Sequence, residues 1–261
     1  MSQTLDFSRL SRGLAALAAW GLLASCGRTA SEPVSLAGLS DRTLTFALAD
    51  VDDAETPDAL GAHRFTVAFS LAEGDACTKL AEGVTATFNG QPMHLEGGGA
   101  PDVDGRGDAC EATRAWFDFD PAAWTTEPTE DGRILLQDDT ATVSLILEDA
   151  KVKRLFAFQG TGAVDRLRRG QTYSFVWQPE SEVPGPITAT LLREGGSAPA
   201  TLAVTQDGGK VSFTVPAGTP LANHVLSLSA TVPGKVLDCQ GVTSCSGAFF
   251  HSQDFSVSVV P

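Results

Sequence analysis

Runs that alternate apolar and polar side chains recur along this 261-residue chain from residue 44 to residue 259. No segment sustains a helical apolar period over the length of a typical helix. A period of two puts apolar side chains on one face of an extended strand, so each run is stable only half-buried in a sheet. One set reads as strands at Leu44–Leu48, Phe65–Phe69, Val84–Phe88, Trp116–Phe119, Val143–Leu147 and Leu155–Phe158. A second set follows Gly170, at Tyr173–Trp177, Ile187–Leu191, Leu202–Val204, Val211–Val215, Val225–Ala230 and Phe255–Val259. Glycine and proline turn signals separate them at the spacing usual in sandwiches and barrels. Asp58–His63 and Pro121–Trp124 are predicted as single short helical turns.

The chain therefore reads as all-β, with a first sandwich over 41–165 and a second over 166–261. The two sets also rhyme. An aromatic strand (Phe65–Phe69, Tyr173–Trp177) precedes a Thr-Ala-Thr strand (Val84–Phe88, Ile187–Leu191) that leads into a glycine turn in both. The pattern resembles tandem immunoglobulin-like or fibronectin-type sandwiches of exported bacterial proteins, a likeness of architecture that carries no site with it. Trp116 and Trp177 are expected between the sheets, with sugar stacking as the alternative role.

At the other end, Arg9 and Arg12 precede an eleven-residue apolar run, Leu14–Ala24, too short to span a bilayer as a helix. It ends in Leu23-Ala24-Ser25-Cys26, which resembles the lipobox of bacterial lipoprotein signal peptides. The resemblance implies that residues 1–25 are removed and that Cys26 is acylated, palmitate among its chains. It also implies that 26–40 form a flexible tether. Several acyl chains at about 0.8 kcal/mol per buried methylene would hold the protein on a membrane almost permanently. Gly27 in the next position implies the outer membrane, so the expected location is the cell envelope, lipid-anchored.

The formal charge is −14, and loss of Arg9, Arg12 and Asp6 with the leader leaves −15. Such a chain repels phosphate backbones, which excludes nucleic acid as a partner and leaves lipid as the membrane attachment. Lys151, Lys153, Arg154, Arg166, Arg168 and Arg169 form a basic cluster, read as a solvated strand edge and linker. The alternative is a patch facing a headgroup or an acidic partner. After Cys26, four cysteines remain in an exported chain, an even number that points to two disulfides. Three connectivities are open, and position along the chain favours Cys77–Cys110 in the first domain and Cys239–Cys245 in the second.

One short segment, from Asp102 to Glu111, resembles the calcium loops of thrombospondin type 3 repeats. The resemblance implies Asp102, Asp104, the Arg106 carbonyl, Asp108 and Glu111 as calcium ligands, although the family's first acidic position falls on Ala100. The acidic run Asp50, Asp52, Asp53, Glu55 and Asp58 would add oxygens if the fold brought it near. Enzyme signatures are missing: no Gly-x-Ser-x-Gly, phosphate-binding glycine loop, His-Glu-x-x-His or Ser-x-x-Lys occurs. The four histidines, His63, His94, His224 and His251, are scattered, with satisfied or exposed roles expected. These features describe a non-catalytic, membrane-anchored envelope module that binds protein or glycan partners. The alternatives are a calcium-dependent adhesion or stalk module, and a hydrolase whose site forms only on folding.

Overall fold

A computed structural model describes residues 31–56, 59–71, 77–100, 110–126 and 129–261. Apart from two short 3-10 helices the described residues form β-strands and turns, two sandwiches with two hydrophobic cores. Among the described residues no helix is long and apolar enough to cross a membrane. Nearly all the predicted strands are present, most a residue or two longer at their ends. The run at Leu202–Val204 is broken instead, with short strands at Ala200–Thr201 and Val204–Asp207 on either side of buried Leu202. The predicted turn at Pro121 is a 3-10 helix over Pro121–Ala123, whereas His63 opens the strand His63–Phe69 rather than closing a helical turn.

A nine-stranded sheet belongs to both sandwiches. Its order runs Ala200–Thr201, Thr188–Arg193, Asn223–Pro233, Ser244–Val260, Thr43–Asp52, His63–Phe69, Arg114–Asp118 and His94–Glu96. Arg166–Arg168 adds to the last strand of the chain in parallel. A five-stranded sheet covers one end, ordered Val236–Gln240, Thr142–Leu147, Gly132–Gln137, Thr85–Phe88 and Gln91–Pro92. A four-stranded sheet, ordered Leu155–Phe158, Thr172–Gln178, Lys210–Thr214 and Val204–Asp207, covers the other. In both sandwiches the aromatic strand and the Thr-Ala-Thr strand lie in opposite sheets, and each Thr-Ala-Thr strand pairs with a two-residue strand that follows it.

The division at residue 165 does not hold for the hydrogen bonding. The seventeen-residue strand Ser244–Val260 pairs in parallel with Thr43–Asp52 through its first ten residues, and its end serves the second core through Val257 and Val259. Val236–Gln240 pairs with Thr142–Leu147, and Phe249 is part of the first core. The first sandwich is thus completed by chain from the end of the sequence. A strand of this length spans about 55 Å at roughly 3.3 Å per residue, so it works as a common spine.

Residues 31–40, expected as part of a tether, are folded. Ser31–Val34 pairs in parallel with Cys77–Leu80, and the 3-10 helix Leu36–Leu39 buries both leucines completely. The two buried leucines act together with the strand pairing to Cys77–Leu80 and the bonds to Asp138 and Thr140 in offsetting the entropy of ordering the segment. Leu36 donates its backbone N–H to Asp138 at 2.8 Å. That bond, with others from Thr140 and Ala141, pulls the Asp138 carboxyl down to about 2.

Both expected disulfides are present, Cys77–Cys110 and Cys239–Cys245. The second was expected in the second domain, but Cys239 pairs across from Leu145 and Cys245 from Leu44, which lie in opposite sheets of the first sandwich. Both bonds therefore tie down the first core. Sequence separations of 33 and 6 residues correspond to about 4 and about 2 kcal/mol on the loop-entropy model. Cys77→Ser and Cys239→Ser should both lower the urea midpoint of the protein, Cys77→Ser by the larger amount.

Candidate functional site: the polar junction between the cores

Three strands place a polar residue where the inward parity calls for an apolar one. Leu44, Phe46 and Leu48 lead to Asp50; Phe69, Val67 and Phe65 lead to His63; Phe249 is followed on its own face by His251. The register sets Asp50 opposite His63 on one side and His251 on the other, so the three form a row across adjacent strands. Asp50 Oδ1 accepts from His63 Nδ1 at 2.8 Å and Oδ2 from His251 Nδ1 at 2.9 Å. A carboxylate only accepts, so both Nδ1 atoms carry the proton. His251 is fully buried, its ring lying against Phe156 and Trp177 of the second core, and its Nε2 has no partner.

Beside this row, Arg154 is 1 % exposed and joins Glu182 through two hydrogen bonds, Nε to Oε2 at 3.0 Å and Nη2 to Oε1 at 2.5 Å. Trp177 Nε1 donates to Glu182 Oε2 at 3.2 Å. The guanidinium lies 4.4 Å from the centre of the Phe249 ring, so one cation touches an aromatic of the first core and a carboxylate of the second sandwich. Gln253 accepts from the Phe156 N–H at 2.7 Å, again from the shared strand to the second sandwich. The junction is a buried polar clasp in which carboxylates are met by donors, as burial of charge requires.

The basic cluster is corrected accordingly. Arg154 is not a solvated edge residue, and Lys151 forms an ion pair with Glu130. Arg166 and Arg168 are exposed on an edge strand, and Arg169 Nε donates to the Thr219 carbonyl, so the six cations form no common patch. Tyr173 fixes that edge, its hydroxyl accepting from Arg168 N at 2.7 Å and donating to the Arg166 carbonyl.

Burial alone would push Asp50 up, but the hydrogen bonds and charges of His251 and His63 outweigh it and hold the carboxyl below its ordinary 3.8. A group lowered on folding adds stability above its unfolded value and loses it as pH falls through the folded one. Asp50→Asn leaves one imidazole N–H facing an amide N–H, at a cost of about 1–3 kcal/mol for a buried bond broken on one side. In urea titrations the variant should be weaker than the parent at pH 7, and the gap should close below pH 3.8. A gap independent of pH would show that Asp50 is not ionised in the fold.

As chemistry, the row offers little to a substrate. Among the described residues no hydroxyl or thiol bonds to either imidazole, and His251 is sealed from solvent. Asp50, Asp52 and His63 do place one donor atom each within 4.8 Å of one another. Three donors fall short of the four of a closed structural site, and both oxygens of Asp50 already accept from imidazoles.

Of the expected calcium ligands, Asp102, Asp104, Arg106 and Asp108 lie outside the described residues. Glu111 is exposed, its backbone bridged to Gly99. The acidic run does not approach it, because Asp50 pairs with His63 at one end of the strand His63–Phe69, while Phe69, at the other end, donates its N–H to the Thr113 carbonyl close to Glu111. Asp58 also lies outside the described residues. Cys26 lies there too.

Trp177 is 1 % exposed in the second core, as expected, but Trp116 faces outward on the shared sheet. His94 stacks on its ring at 5.5 Å, and Arg64 and Arg114 approach it at 5.2 and 5.8 Å. Both cations are held there by Asp118 and Glu96. On the outer face of the second sandwich, a cleft of about 750 Å3 lies between the loop at Ala54–Glu55 and the strands carrying Arg193, Asn223 and Ser258. Asn223 donates to Glu194 at 3.1 Å and accepts from Ser258 at 2.8 Å, a polar floor fixed by its own bonds. Ala54 N–H reaches Asp254 at 3.4 Å, tying the loop of the first sandwich to the shared strand beneath the second.

No family model matches the chain, and no curated protein matches its sequence. Solved structures similar to it include the titin domains Z1Z2 in complex with telethonin, at 10% identity over 88% of this chain and 92% of that one, with a TM-score of 0.22. The I9–I11 tandem of titin is 9% identical over 85% of this chain and 64% of that one, with a TM-score of 0.25. Domains 4 and 5 of the S-layer protein SbsC are 11% identical over 85% of this chain and all of that one, with a TM-score of 0.22. Superposition this loose does not place the chain in any of these families.

Proposed function

We propose that this chain is a non-catalytic lipoprotein of the cell envelope, anchored in the outer membrane through Cys26, and that its fused sandwiches form a rigid module for a protein or glycan partner. The supporting observation is the shared strand Ser244–Val260 with the clasp beside it, which locks the two cores into one body. A scaffold held this way presents fixed loops and faces at little entropic cost on binding. The cleft between Ala54–Glu55 and the second sandwich is the surface such a partner would use, since both of its walls are fixed to the same strand. The anchor is supported by the lipobox-like Leu23–Cys26 run.

Photo-crosslinking from Glu55 and from Arg193 in intact envelopes tests the binding role, and metabolic palmitate labelling tests the anchor. A discrete adduct from either position, with label lost in Cys26→Ala, is the expected result. Intact envelopes yielding no adduct from either position would overturn the binding role, and unlabelled parent protein would overturn the anchor.

A further inference from the structure

On the lipid-anchored reading above, we infer that the protein stands upright on the bilayer, with one end of the first sandwich set against the headgroups and the second sandwich farthest away. The argument begins with the leash. Residues 26–40, if free, would allow the domain to rise about 50 Å from its anchor at roughly 3.3–3.6 Å per residue. The chain is fixed from Ser31 onward, so only five residue steps separate Cys26 from the fold, a reach of at most about 18 Å.

The point of attachment is a defined end of the molecule. Ser31 pairs with Cys77, and its hydroxyl accepts from the Ala100 N–H at 2.8 Å. Leu36 and Ala37 are bonded to Asp138 and Thr140, and Thr243 N–H to the Arg42 carbonyl at 2.9 Å. All of these lie at the Thr43–Ser244 end of the paired strands Thr43–Asp52 and Ser244–Gln253. From there the spine runs past the clasp at His251 to Val260, which bonds Arg169 at the opposite end, beside the turn that holds Ala217. The base is therefore within about 18 Å of the lipid, and the far tip about 55 Å beyond the base.

The partner at the base is a phospholipid headgroup surface, chosen by the leash rather than by charge. Exposed Glu32, Asp41 and Asp139 make this end acidic, so it suits zwitterionic lipid and gains nothing from anionic lipid. The stance also places the cleft of the second sandwich away from the bilayer, open to a partner arriving from solution.

The test uses the full acylated protein in phosphatidylcholine vesicles carrying a headgroup-linked energy acceptor. A fluorescent amino acid is placed either at Asp139, in the basal turn, or at Ala217, in the distal one; both positions are exposed. Expected are near-complete transfer from position 139 and little from 217. Insertion of thirty Gly/Ser residues after Ala30, with a mean span of about 30 Å, should cut the transfer from 139 severalfold. Vesicle flotation with equal transfer from the two positions, or with transfer indifferent to the insertion, overturns the upright stance alone. Failure of the acylated protein to float with the vesicles overturns the anchor and the stance together.

Discussion

Glu182→Ala is expected to cost about 3–5 kcal/mol, the range for breaking a buried ion pair by removing one partner. The variant leaves Arg154, 1 % exposed, with only two carbonyls at 3.4 Å and the face of Phe249 for company. It also strips the acceptor from Trp177 Nε1. A guanidinium does not escape by losing its proton, so the cost is met by opening the junction. Arg154→Met tests the same pair from the other side, leaving the Glu182 carboxylate, 13 % exposed against 1 % for Arg154, to protonate or reach water at lower cost. The double variant Arg154→Met with Glu182→Gln should recover much of the loss, because a methionine in that space packs on Phe249 without a charge to satisfy. Urea unfolding followed at Trp177 measures all three, and losses that simply add would show that the two residues do not act as a pair.

How much of this was legible in the sequence depends on range. Period-two alternation located most strands because the signal lies within five or six residues, as in Phe65–Phe69 and Tyr173–Trp177. It missed Gly132–Gln137, where Leu135 stands on the outward parity at 38 % exposure and spoils the pattern. It also missed Val236–Gln240, whose Asp238 and exposed Leu237 hide an edge strand. Residues 31–40 read as a tether because they are small and polar, yet Leu36 and Leu39 were the signal of a docked segment. The clasp was half-legible. Asp50, His63 and His251 each continue an apolar parity, an anomaly readable from sequence alone, but nothing local says that strands about 200 residues apart lie side by side. Parallel pairing of remote segments carries no turn to announce it. For the same reason both disulfide partners were foreseeable from position, whereas the sandwich that Cys239–Cys245 belongs to was not.

The most severe expected effect follows from that remote pairing: a fragment of residues 31–165 should not fold. It retains the eleven strands from Ser31–Val34 to Leu155–Phe158 but lacks Val236–Gln240 and Ser244–Gln253, and so leaves the Thr43–Asp52 and Thr142–Leu147 edges open. Phe249 is gone from the core, along with the packing of Val236, Val242 and Cys245 against it. Losing Phe249 alone costs about 3–5 kcal/mol by analogy with large-to-small changes in cores, a large part of the stability of a domain this size. Two exposed apolar edges add a tendency to pair with other chains, so the fragment should aggregate rather than remain as a soluble unfolded species. Joining residues 234–254 to it through a flexible linker restores both edges and Phe249, and with them the Cys239–Cys245 bond. Dispersed amide resonances in the joined fragment and their absence from 31–165 are the expected pair of spectra. A folded 31–165 fragment would mean that the shared strand is an addition to a finished sandwich, and the rigid coupling of the two cores would lose its structural basis.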